Sequence, residues 1–252
     1  MSKEMEMKAA VKKTYSSLAT GRTQSLEQTC CEPFQVADTD KLLSYGYSRK
    51  ELQGLPESVK VMSAGCGNPT GLGMIKQGET VLDLGSGGGI DVFLASKKVG
   101  PRGKVIGLDM TPAMVHRANA NARKMNLTNV EFRRGEIEQI PLEEESVNMI
   151  ISNCVICLSP DKEKVFREMF RVLRPDGRLA IADEVAIRPF TAEEKSDAAK
   201  WCECITGAIT EDEYVSKLEL TGFADVYVKR LRAATPSNAV FSAFVSAVKP
   251  AK

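Results

Sequence analysis

The chain is poor in histidine, in net charge and in long hydrophobic segments. Among its 252 residues there is a single histidine, His116. A site with several histidine ligands is therefore excluded, and any mechanism in which histidine activates a nucleophile must use this one residue. Lys+Arg number 34 and Asp+Glu 33, a net charge of +1, which argues against nucleic acid or an anionic membrane as the partner. No apolar segment approaches the roughly 18 residues that a membrane span requires.

Cysteine is present in an odd number, so the thiols cannot all pair within one chain. The seven residues are Cys30, Cys31, Cys66, Cys154, Cys157, Cys202 and Cys204. Residues 1–7 are charged and polar, so they do not predict a signal peptide. We therefore expect a cytoplasmic protein whose thiols stay reduced and serve metal, metalloid or redox chemistry, or fill the core.

Strand and helix signals alternate through the middle of the chain. Short apolar segments predict strands at 80–84, 104–108, 130–134, 147–152 and 178–184. Helical spacing predicts helices at 90–98, 112–125 and 161–173, the last ended by the Pro-Asp-Gly at 175–177. Because this alternation is typical of βαβ units, it predicts a parallel sheet with helices on both faces.

The C-terminal region breaks the alternation. A helix predicted at 211–221 is followed by strands at 225–230 and 238–248, with no helix between them. Two strands joined in this way should be antiparallel. We therefore expect an α/β fold whose seven-stranded, mostly parallel, Rossmann-like sheet has an antiparallel last strand. The predicted parts are a helical and loop cap (1–75), a cofactor-binding core (76–185), and an insertion with the last helix and strand pair (186–252).

A glycine cluster follows the first strand of the predicted core. Its sequence is Asp83-Leu-Gly85-Ser-Gly87-Gly-Gly89, and it leads directly into the helix at 90–98. Glycine allows a tight turn and a close approach of the backbone to a ligand. The spacing differs from the Gly-x-Gly-x-x-Gly of dinucleotide enzymes, and the Gly-Lys-Ser/Thr of phosphate-binding loops is absent. The alternative is a glycine-rich turn of an unrelated α/β protein.

A second carboxylate, Asp109, ends the next strand about 20 residues later, the separation expected of a ribose-binding acid. The loop at 135–138 follows the third strand, where it could meet an adenine. Together with the C-terminal strand pair, these features resemble the S-adenosylmethionine (SAM) methyltransferases. The resemblance implies that SAM contacts ten residues: Asp83, Gly85, Ser86, Gly87, Asp109, Met110, Glu136, Ile137, Glu138 and Asn153.

Three cysteines occur where a substrate could reach them. Turn residues flank Cys66, so we expect it near the surface. Cys154 follows the fourth strand, and ligands of open α/β sheets bind at the carboxyl ends of the strands. Cys204 lies in the insertion at 186–210, and such insertions often cover substrate pockets. These three thiols could converge on one soft atom, because thiolates prefer soft ligands.

Other interpretations of the cysteines stay open. A lone cysteine is usually a small buried hydrophobe. Cys154-Val-Ile-Cys157 has the spacing of a zinc ligand pair, although its partner pair would be the atypical Cys202-Glu-Cys204. The vicinal Cys30 and Cys31 could collect a thiophile, form a disulfide during turnover, or have no role.

Taken together, several segments resemble the arsenite methyltransferases. These are Tyr45-Gly-Tyr-Ser, Gly65-Cys-Gly-Asn-Pro69, Asp83–Val92, Ser152-Asn-Cys-Val-Ile156, Leu158-Ser-Pro-Asp-Lys162 and Cys204-Ile-Thr-Gly-Ala208. The resemblance implies that Cys66, Cys154 and Cys204 hold As(III), with Cys30 and Cys31 as auxiliary ligands. Two residues depart from the pattern, since Cys157 stands where a polar residue such as asparagine is expected and Cys202 is an additional thiol.

The resemblance also implies a reaction and its partners. The lone pair of thiolate-bound As(III), supplied as arsenite or an arsenic–thiol complex, would attack the methyl group of SAM. Because no proton leaves arsenic, no general base is needed, and His116 is expected to be a surface or packing residue. A thiol reductant, glutathione or thioredoxin, would restore As(III), and the role would be arsenic detoxification. The alternatives are a SAM-dependent methyltransferase acting on carbon, oxygen or nitrogen of a small molecule, with structural cysteines, or an inactive metalloid-binding regulator.

Overall fold

The fold is known from a computed structural model of the chain, which describes residues 3–20, 38–61, 63–232 and 239–251. Seven strands form one sheet in the order β3-β2-β1-β4-β5-β7-β6. Their bounds are Thr80–Leu84 (β1), Lys104–Asp109 (β2), Val130–Arg134 (β3), Val147–Asn153 (β4), Leu173–Ala186 (β5), Ala224–Arg230 (β6) and Val240–Val248 (β7). Strand β7 is antiparallel to both of its neighbours, whereas β1 to β5 pair in parallel. The predicted fold class is confirmed.

Helices cover both faces of the sheet. Those of the N-terminal region are Lys3–Thr20 (α1), Thr39–Ser44 (α2), Arg49–Leu52 (α3), Glu57–Lys60 (α4) and Pro69–Leu72 (α5). Those that follow are Ile90–Val99 (α6), Pro112–Lys124 (α7), Lys162–Val172 (α8), Ala198–Cys202 (α9) and Glu211–Thr221 (α10). Short 3-10 turns add Ile156–Leu158 and Glu194–Ser196.

The central strands are apolar on both sides because both faces are covered. In β1, Leu82 and Leu84 pack with Phe166 of α8 and Tyr214 of α10. The alternate residue Val81 packs in a second cluster with residues of α6 and α7. This period of two along each strand, combined with burial on both faces, fixes the register of the sheet.

One predicted boundary was wrong. We expected the fifth strand at 178–184, after a break at Pro-Asp-Gly, but β5 begins at Leu173. The reason is pairing with the C-terminal segment: the Asp176 amide donates to the Lys249 carbonyl at 2.9 Å, and the Lys249 amide donates to the Gly177 carbonyl at 2.8 Å. The break is therefore an irregularity within the strand, with Asp176 at φ +60°.

The strand order reverses direction between β1 and β4. The chain proceeds outward through β2 and β3, then returns to place β4 on the other side of β1. In open α/β sheets, ligands bind at the carboxyl ends of the strands at this point. A third cluster of buried residues lies at this end and contains Cys66, Cys154, Cys157, Cys202 and Cys204.

Candidate active site

A cavity opens at the carboxyl ends of β1, β2 and β4. Nine of the ten residues predicted to contact SAM line it, namely Asp83, Gly85, Ser86, Gly87, Asp109, Met110, Ile137, Glu138 and Asn153. Glu136 is not among the lining residues, and its side chain is 57% exposed and paired with Lys8. The lining also includes Lys8, Val11 and Tyr15 from α1, whose part in the cavity the sequence did not predict.

The glycine loop after β1 packs tightly against Val155 and Asp109. Gly85 has φ +69°, and a Cβ atom at this position would collide with the side chain of Val155. The Gly87 amide donates to Asp109 Oδ2 at 2.9 Å, and the Thr111 amide donates to Oδ1 at 2.8 Å. Burial raises the pKa of Asp109, while these two backbone donors act in the opposite direction.

Buried polar groups in the cavity wall fit a polar ligand. Among the described residues, the Ser86 hydroxyl is buried without a hydrogen-bond partner. Burial raises the pKa of Asp83 well above its usual range, and the nearby charges of Asp91 and Asp109 add to this. Since a nucleoside offers hydroxyl donors to carboxylates, this set of groups is chemically suited to the adenosyl part of SAM.

Asn153 connects the cavity to the cysteine-bearing loop. Its Oδ1 accepts from the Cys66 amide at 2.9 Å. Its Nδ2 donates to Asp91 Oδ2 at 3.1 Å and to Tyr47 Oη at 3.0 Å. Tyr47 in turn donates to Asp91 Oδ1 at 2.9 Å, and burial raises the pKa of Asp91 to about 6. The position of Cys66 is thus fixed by a residue that also faces the cavity.

The N-terminal helix lies against the loop at 135–138, where it lines one side of the cavity. Lys8 Nζ is 2.9 Å from both Glu136 Oε2 and Glu138 Oε2. Glu138 is buried and its Oε1 accepts from Ser159 Oγ at 2.6 Å. These contacts hold α1 against the loop at 135–138, and so the cap and the core meet at the predicted cofactor site.

Thiols from three distant segments meet around Cys154. Cys66, Cys154, Cys157 and Cys204 lie in one buried cluster. The sulfur atoms of Cys66 and Cys154 lie within 4.8 Å of each other, and the Cys204 Sγ donates to the Cys154 carbonyl at 3.5 Å. Cys154 lines the cavity, which places this cluster at its edge. The expectation that Cys66 lies near the surface was wrong: it is 3% exposed, because the Asn153 side chain draws its loop inward onto β4.

The cluster includes two residues whose contacts the sequence did not predict. Cys157 is fully buried and contacts both Cys154 and Cys204. Glu184, near the end of β5, has a carboxylate oxygen within 4.8 Å of the sulfur atoms of Cys66 and Cys154, which lie equally close to each other. The sulfur atoms of Cys66, Cys154 and Cys204 are not all within 4.8 Å of one another, since that search of the described residues found only the group with Glu184.

Two of the clustered cysteines adopt an unusual backbone conformation. Cys154 has φ +55° and Cys204 has φ +63°, in the left-handed region that non-glycine residues seldom occupy. Such a conformation costs roughly 1–3 kcal/mol per residue and persists where the surrounding structure imposes it. The fold therefore bears this cost at the two positions that direct thiols toward the cluster.

The thiols differ in their readiness to ionise. Burial raises the pKa of Cys66 to about 11, and raises the pKa values of Cys154 and Cys157. Cys204 is the exception, because hydrogen bonds from Cys154 and Cys157 lower its pKa to about 7. Cys204 is therefore the thiol of the cluster that ionises most readily, because the neighbouring Cys154 and Cys157 stabilise its thiolate.

The remaining candidates lie elsewhere. Cys202 packs in the same buried cluster as the other four thiols, but among the described residues it belongs to no group of close metal-ligating atoms, so the zinc arrangement that pairs Cys202 with Cys204 is not formed. All five cysteines within the described ranges are free thiols. His116 is exposed on α7, as expected. Cys30 and Cys31 fall outside the residues that the structure describes.

Comparisons with known proteins agree with this geometry. Residues 75–222 match the family described as "Methyltransferase domain". The crystal structure of CrArsM, an arsenic(III) S-adenosylmethionine methyltransferase from Chlamydomonas reinhardtii, superposes with a TM-score of 0.71 at 32% identity, covering 81% of this chain and 73% of that one. An arsenite methyltransferase of Halobacterium salinarum is 40% identical over 232 residues, covering 88% of this chain and 59% of the relative.

A rat relative shows the same pattern over a shorter region. The arsenite methyltransferase of Rattus norvegicus is 38% identical over 174 residues, which are 65% of this chain and 46% of the relative. The chain thus spans about half the length of the curated relatives it matches. Within the described ranges, no helix is both long enough and apolar enough to cross a lipid bilayer.

The sheet order, the glycine loop and the family match define a methyltransferase domain of the SAM-dependent, Rossmann-like class. Within that class, the likeness to CrArsM covers most of both chains. The chain therefore belongs to the arsenite methyltransferase family, which confirms the resemblance found in its sequence.

Proposed function

We propose that this chain methylates trivalent arsenic held by the thiolates of Cys66, Cys154 and Cys204, with SAM as the methyl donor. The observation that carries the proposal is the packing of these cysteines in one buried cluster, in which Cys154 lines the cavity suited to SAM. The relatives named as arsenite methyltransferases support the same substrate. The proposed role is detoxification of arsenic in the cytoplasm.

Thiolate ligation would supply most of what the reaction needs. When bound, SAM offers an electrophilic methyl group, and As(III) held by three sulfurs keeps a lone pair that can accept it. The cysteine thiolates of the buried cluster would replace the water and hydroxide bound to arsenic, because a soft metalloid prefers sulfur ligands. Fixing two reactants in an attacking geometry can lower a barrier by up to ~7–11 kcal/mol in the best model systems.

The thiols would bind arsenic in the order in which they lose their protons. Cys204, with a pKa of about 7, is the thiol most easily deprotonated, and a thiolate is the attacking form in ligand exchange. Cys66, whose pKa is raised to about 11 by burial, would lose its proton only as arsenic binds. Since the three sulfurs are not all within 4.8 Å of one another, we propose that arsenic draws Cys204 and Cys66 together.

Each methyl transfer leaves arsenic formally pentavalent. A thiol reductant, such as glutathione or thioredoxin, would return it to As(III) for release or a further cycle. The part of Cys30 and Cys31 as auxiliary ligands stays a prediction, as does the division into a cap (1–75), a core (76–185) and a C-terminal part (186–252).

The test is methyl transfer by cysteine variants. We would incubate the protein with labelled SAM, arsenite and glutathione, and identify the arsenic species by chromatography. Cys154→Ser should abolish methylation of arsenite while SAM affinity is retained, because the central sulfur of the cluster is lost. Cys202→Ser is the matched control, since Cys202 is a thiol of the same buried cluster but is not among the proposed arsenic ligands.

The outcomes separate the alternatives. Methylated arsenic from the wild type and the control, and none from Cys154→Ser, supports the proposal. Wild-type activity in Cys154→Ser contradicts the thiolate site. Arsenic binding without methyl transfer would favour a metalloid-binding regulator, and neither binding nor methylation would favour a methyltransferase for another small molecule.

A further inference from the structure

Cys66 and Cys154 share a carboxylate neighbour that the proposed reaction does not use. One carboxylate oxygen of Glu184 and the two sulfur atoms all lie within 4.8 Å of one another, and no other group of this kind occurs among the described residues. The two cysteines are 3% and 5% exposed, and Glu184 is partly buried. The fold thus brings two sulfurs and one oxygen together from three segments of the chain.

The spacing of these three donor atoms fits a tetrahedral zinc ion. Zinc bonds to cysteine sulfur at about 2.3 Å and to carboxylate oxygen at about 2.0–2.2 Å, so its ligand atoms stand roughly 3.6–3.8 Å apart at tetrahedral angles. Atoms that already lie within 4.8 Å of one another need to close by only about 1 Å. Zinc also occurs with three protein ligands and a water in the fourth position. The three donors are therefore sufficient for a zinc site.

A chain of hydrogen bonds orients the carboxylate. Ser242 Oγ donates to Glu184 Oε1 at 2.8 Å, and Arg232 Nη2 donates to Ser242 Oγ, also at 2.8 Å. The same Nη2 donates to the Cys66 carbonyl at 3.0 Å. Metal ligands are typically oriented by such partners, whose loss costs about 10–100-fold in metal affinity. Arg232 thus connects the backbone of one ligand to the side chain of another.

The local charge and the access to solvent also suit a divalent cation. Two thiolates and the Glu184 carboxylate carry three negative charges, of which Zn²⁺ would neutralise two. The Arg232 guanidinium, held beside the Cys66 carbonyl, compensates for the third. Cys66 and Arg232 line a cleft of about 310 Å³, whereas Cys154 lines the SAM cavity. An ion can therefore reach the donors from the cleft without passing through the SAM cavity.

We propose that Cys66, Cys154 and Glu184 form a binding site for Zn²⁺, and that zinc and arsenic exclude each other there. The zinc site does not rest on the proposed function, but the exclusion does, because it requires arsenic to be held by the same two cysteines. Binding of Zn²⁺ forms two Zn–S bonds and one Zn–O bond, the two thiol protons pass to solvent, and nothing is oxidised or reduced. The third ligand distinguishes the two ions: zinc accepts oxygen as well as sulfur, whereas soft As(III) is assigned the sulfur of Cys204.

Glu184→Gln tests this difference in the third ligand. The amide keeps the size of the side chain but removes its charge, so the affinity for Zn²⁺ should fall at least tenfold. We would measure that affinity by competition with a coloured zinc chelator, without added thiols. The amount of arsenite retained through gel filtration should be unchanged, because the three proposed sulfur ligands remain. Ser242→Ala should also weaken Zn²⁺ binding roughly tenfold, because the carboxylate loses the donor that orients it.

Glu203→Gln is the matched control. Glu203 directly precedes Cys204 in the chain, but it is exposed and does not belong to the group of close donor atoms. This variant should bind Zn²⁺ as the wild type does. Thermal unfolding of each variant reports whether it folds.

Co²⁺ reports the ligands of a zinc site without the need for a variant. Thiolate bonded to Co²⁺ gives a charge-transfer absorption in the near ultraviolet that grows with the number of thiolates. With one equivalent of Co²⁺, the wild type should show the absorption of two thiolates. In Cys66→Ser that absorption should fall by about half, and in Cys202→Ser it should stay the same.

Adding zinc before arsenite tests the exclusion. Bound Zn²⁺ should reduce the arsenite that the protein retains, a chelator should restore it, and Glu184→Gln should need at least tenfold more Zn²⁺ for the same effect. Unchanged zinc affinity in Glu184→Gln, no zinc binding by the wild type, or a cobalt spectrum of three or four thiolates would overturn the site. Zinc and arsenite bound together would overturn the exclusion. A protein that binds zinc but methylates no arsenic would contradict the proposed function and leave the zinc site standing.

Discussion

The thiolate at Cys204 leads to a quantitative prediction about arsenic capture. With a pKa of about 7, about half of Cys204 is deprotonated at pH 7, whereas an ordinary thiol with a pKa of about 8.5 would be only ~3% deprotonated. Because a more acidic thiolate is also a weaker nucleophile, this roughly 15-fold larger thiolate fraction should speed the capture of arsenite at pH 7 by only about threefold over an ordinary thiol. The rate should fall as pH drops below 7 and level off above it, because the thiolate is the attacking form.

The perturbation is Cys157→Ala, which removes one of the two thiols that donate to Cys204. If half of the lowering is lost, the pKa rises to about 8 and the thiolate fraction at pH 7 falls to roughly 9%. Since the less acidic thiolate is the stronger nucleophile, capture should then be about twofold slower. Because Cys204 has the higher pKa in the variant, the variant captures arsenite more slowly than the wild type at pH 7. This difference in rate is largest below pH 7 and is lost above pH 8, as Cys204 becomes ionised in both proteins.

The assay can use the single tryptophan of the chain. Trp201 is buried in α9, three residues before Cys204, so stopped-flow fluorescence should report arsenite binding. Cys202→Ser serves as the control because Cys202 is a buried thiol of the same cluster that is not among the groups shifting the pKa of Cys204. A wild-type rate that is the same at pH 6 and pH 8, or an unchanged pH profile in Cys157→Ala, would refute the reasoning.

Three further changes test the cavity and the core. Asp109→Ala should weaken SAM binding at least tenfold by calorimetry, because the acceptor for the ribose hydroxyls is lost; unchanged affinity would remove the ribose assignment. Gly85→Ala should abolish SAM binding through its clash with Val155. Gly100→Ala is the control, because Gly100 has a similar φ of +68° but open space around it; it should cost only ~1–2 kcal/mol of stability. Equal SAM affinities of the two variants would contradict the clash. Phe166→Ala, in the fully buried core, should lower the free energy of unfolding in urea by about 3–5 kcal/mol, and a loss below 1 kcal/mol would contradict its packing role.

The sequence predicted those parts of the fold that depend on local signals. Strand β1 has the predicted bounds, and α10 ends at Gly222, which adopts φ +107°. Apolar spacing and glycine positions act over a few residues, so they determine such elements directly. The start of β5 was missed because it depends on pairing of Leu173 with Val147 of β4 and of Asp176 and Gly177 with Lys249, all distant in the sequence.

The candidate site was predictable in its parts but not in its arrangement. The position of Cys154 after a parallel strand indicated that it would border the cavity. The burial of Cys66 follows from a hydrogen bond to Asn153, 87 residues away, and the sequence pattern contains no sign of that contact. The proximity of Glu184 to Cys66 likewise depends on tertiary packing.

The unusual character of Cys157 could be recognised from the sequence, but its contacts could not. It stood out as a thiol where a polar residue was expected. It lies in the 3-10 turn at Ile156–Leu158, where its amide donates to Asp183 Oδ2 at 3.0 Å, and it packs in the same buried cluster as Cys154 and Cys204. Pattern alone could mark the residue as unusual, but could not indicate that it hydrogen-bonds to Cys204.

X-ray absorption of bound arsenite at the arsenic edge would test the central proposal most directly, because it counts the atoms around arsenic without requiring turnover. The account predicts three sulfur neighbours and no oxygen in the wild type, and two sulfurs with one oxygen in Cys66→Ser or Cys204→Ser. Oxygen around arsenic in the wild type, or three sulfurs retained in both variants, would contradict it.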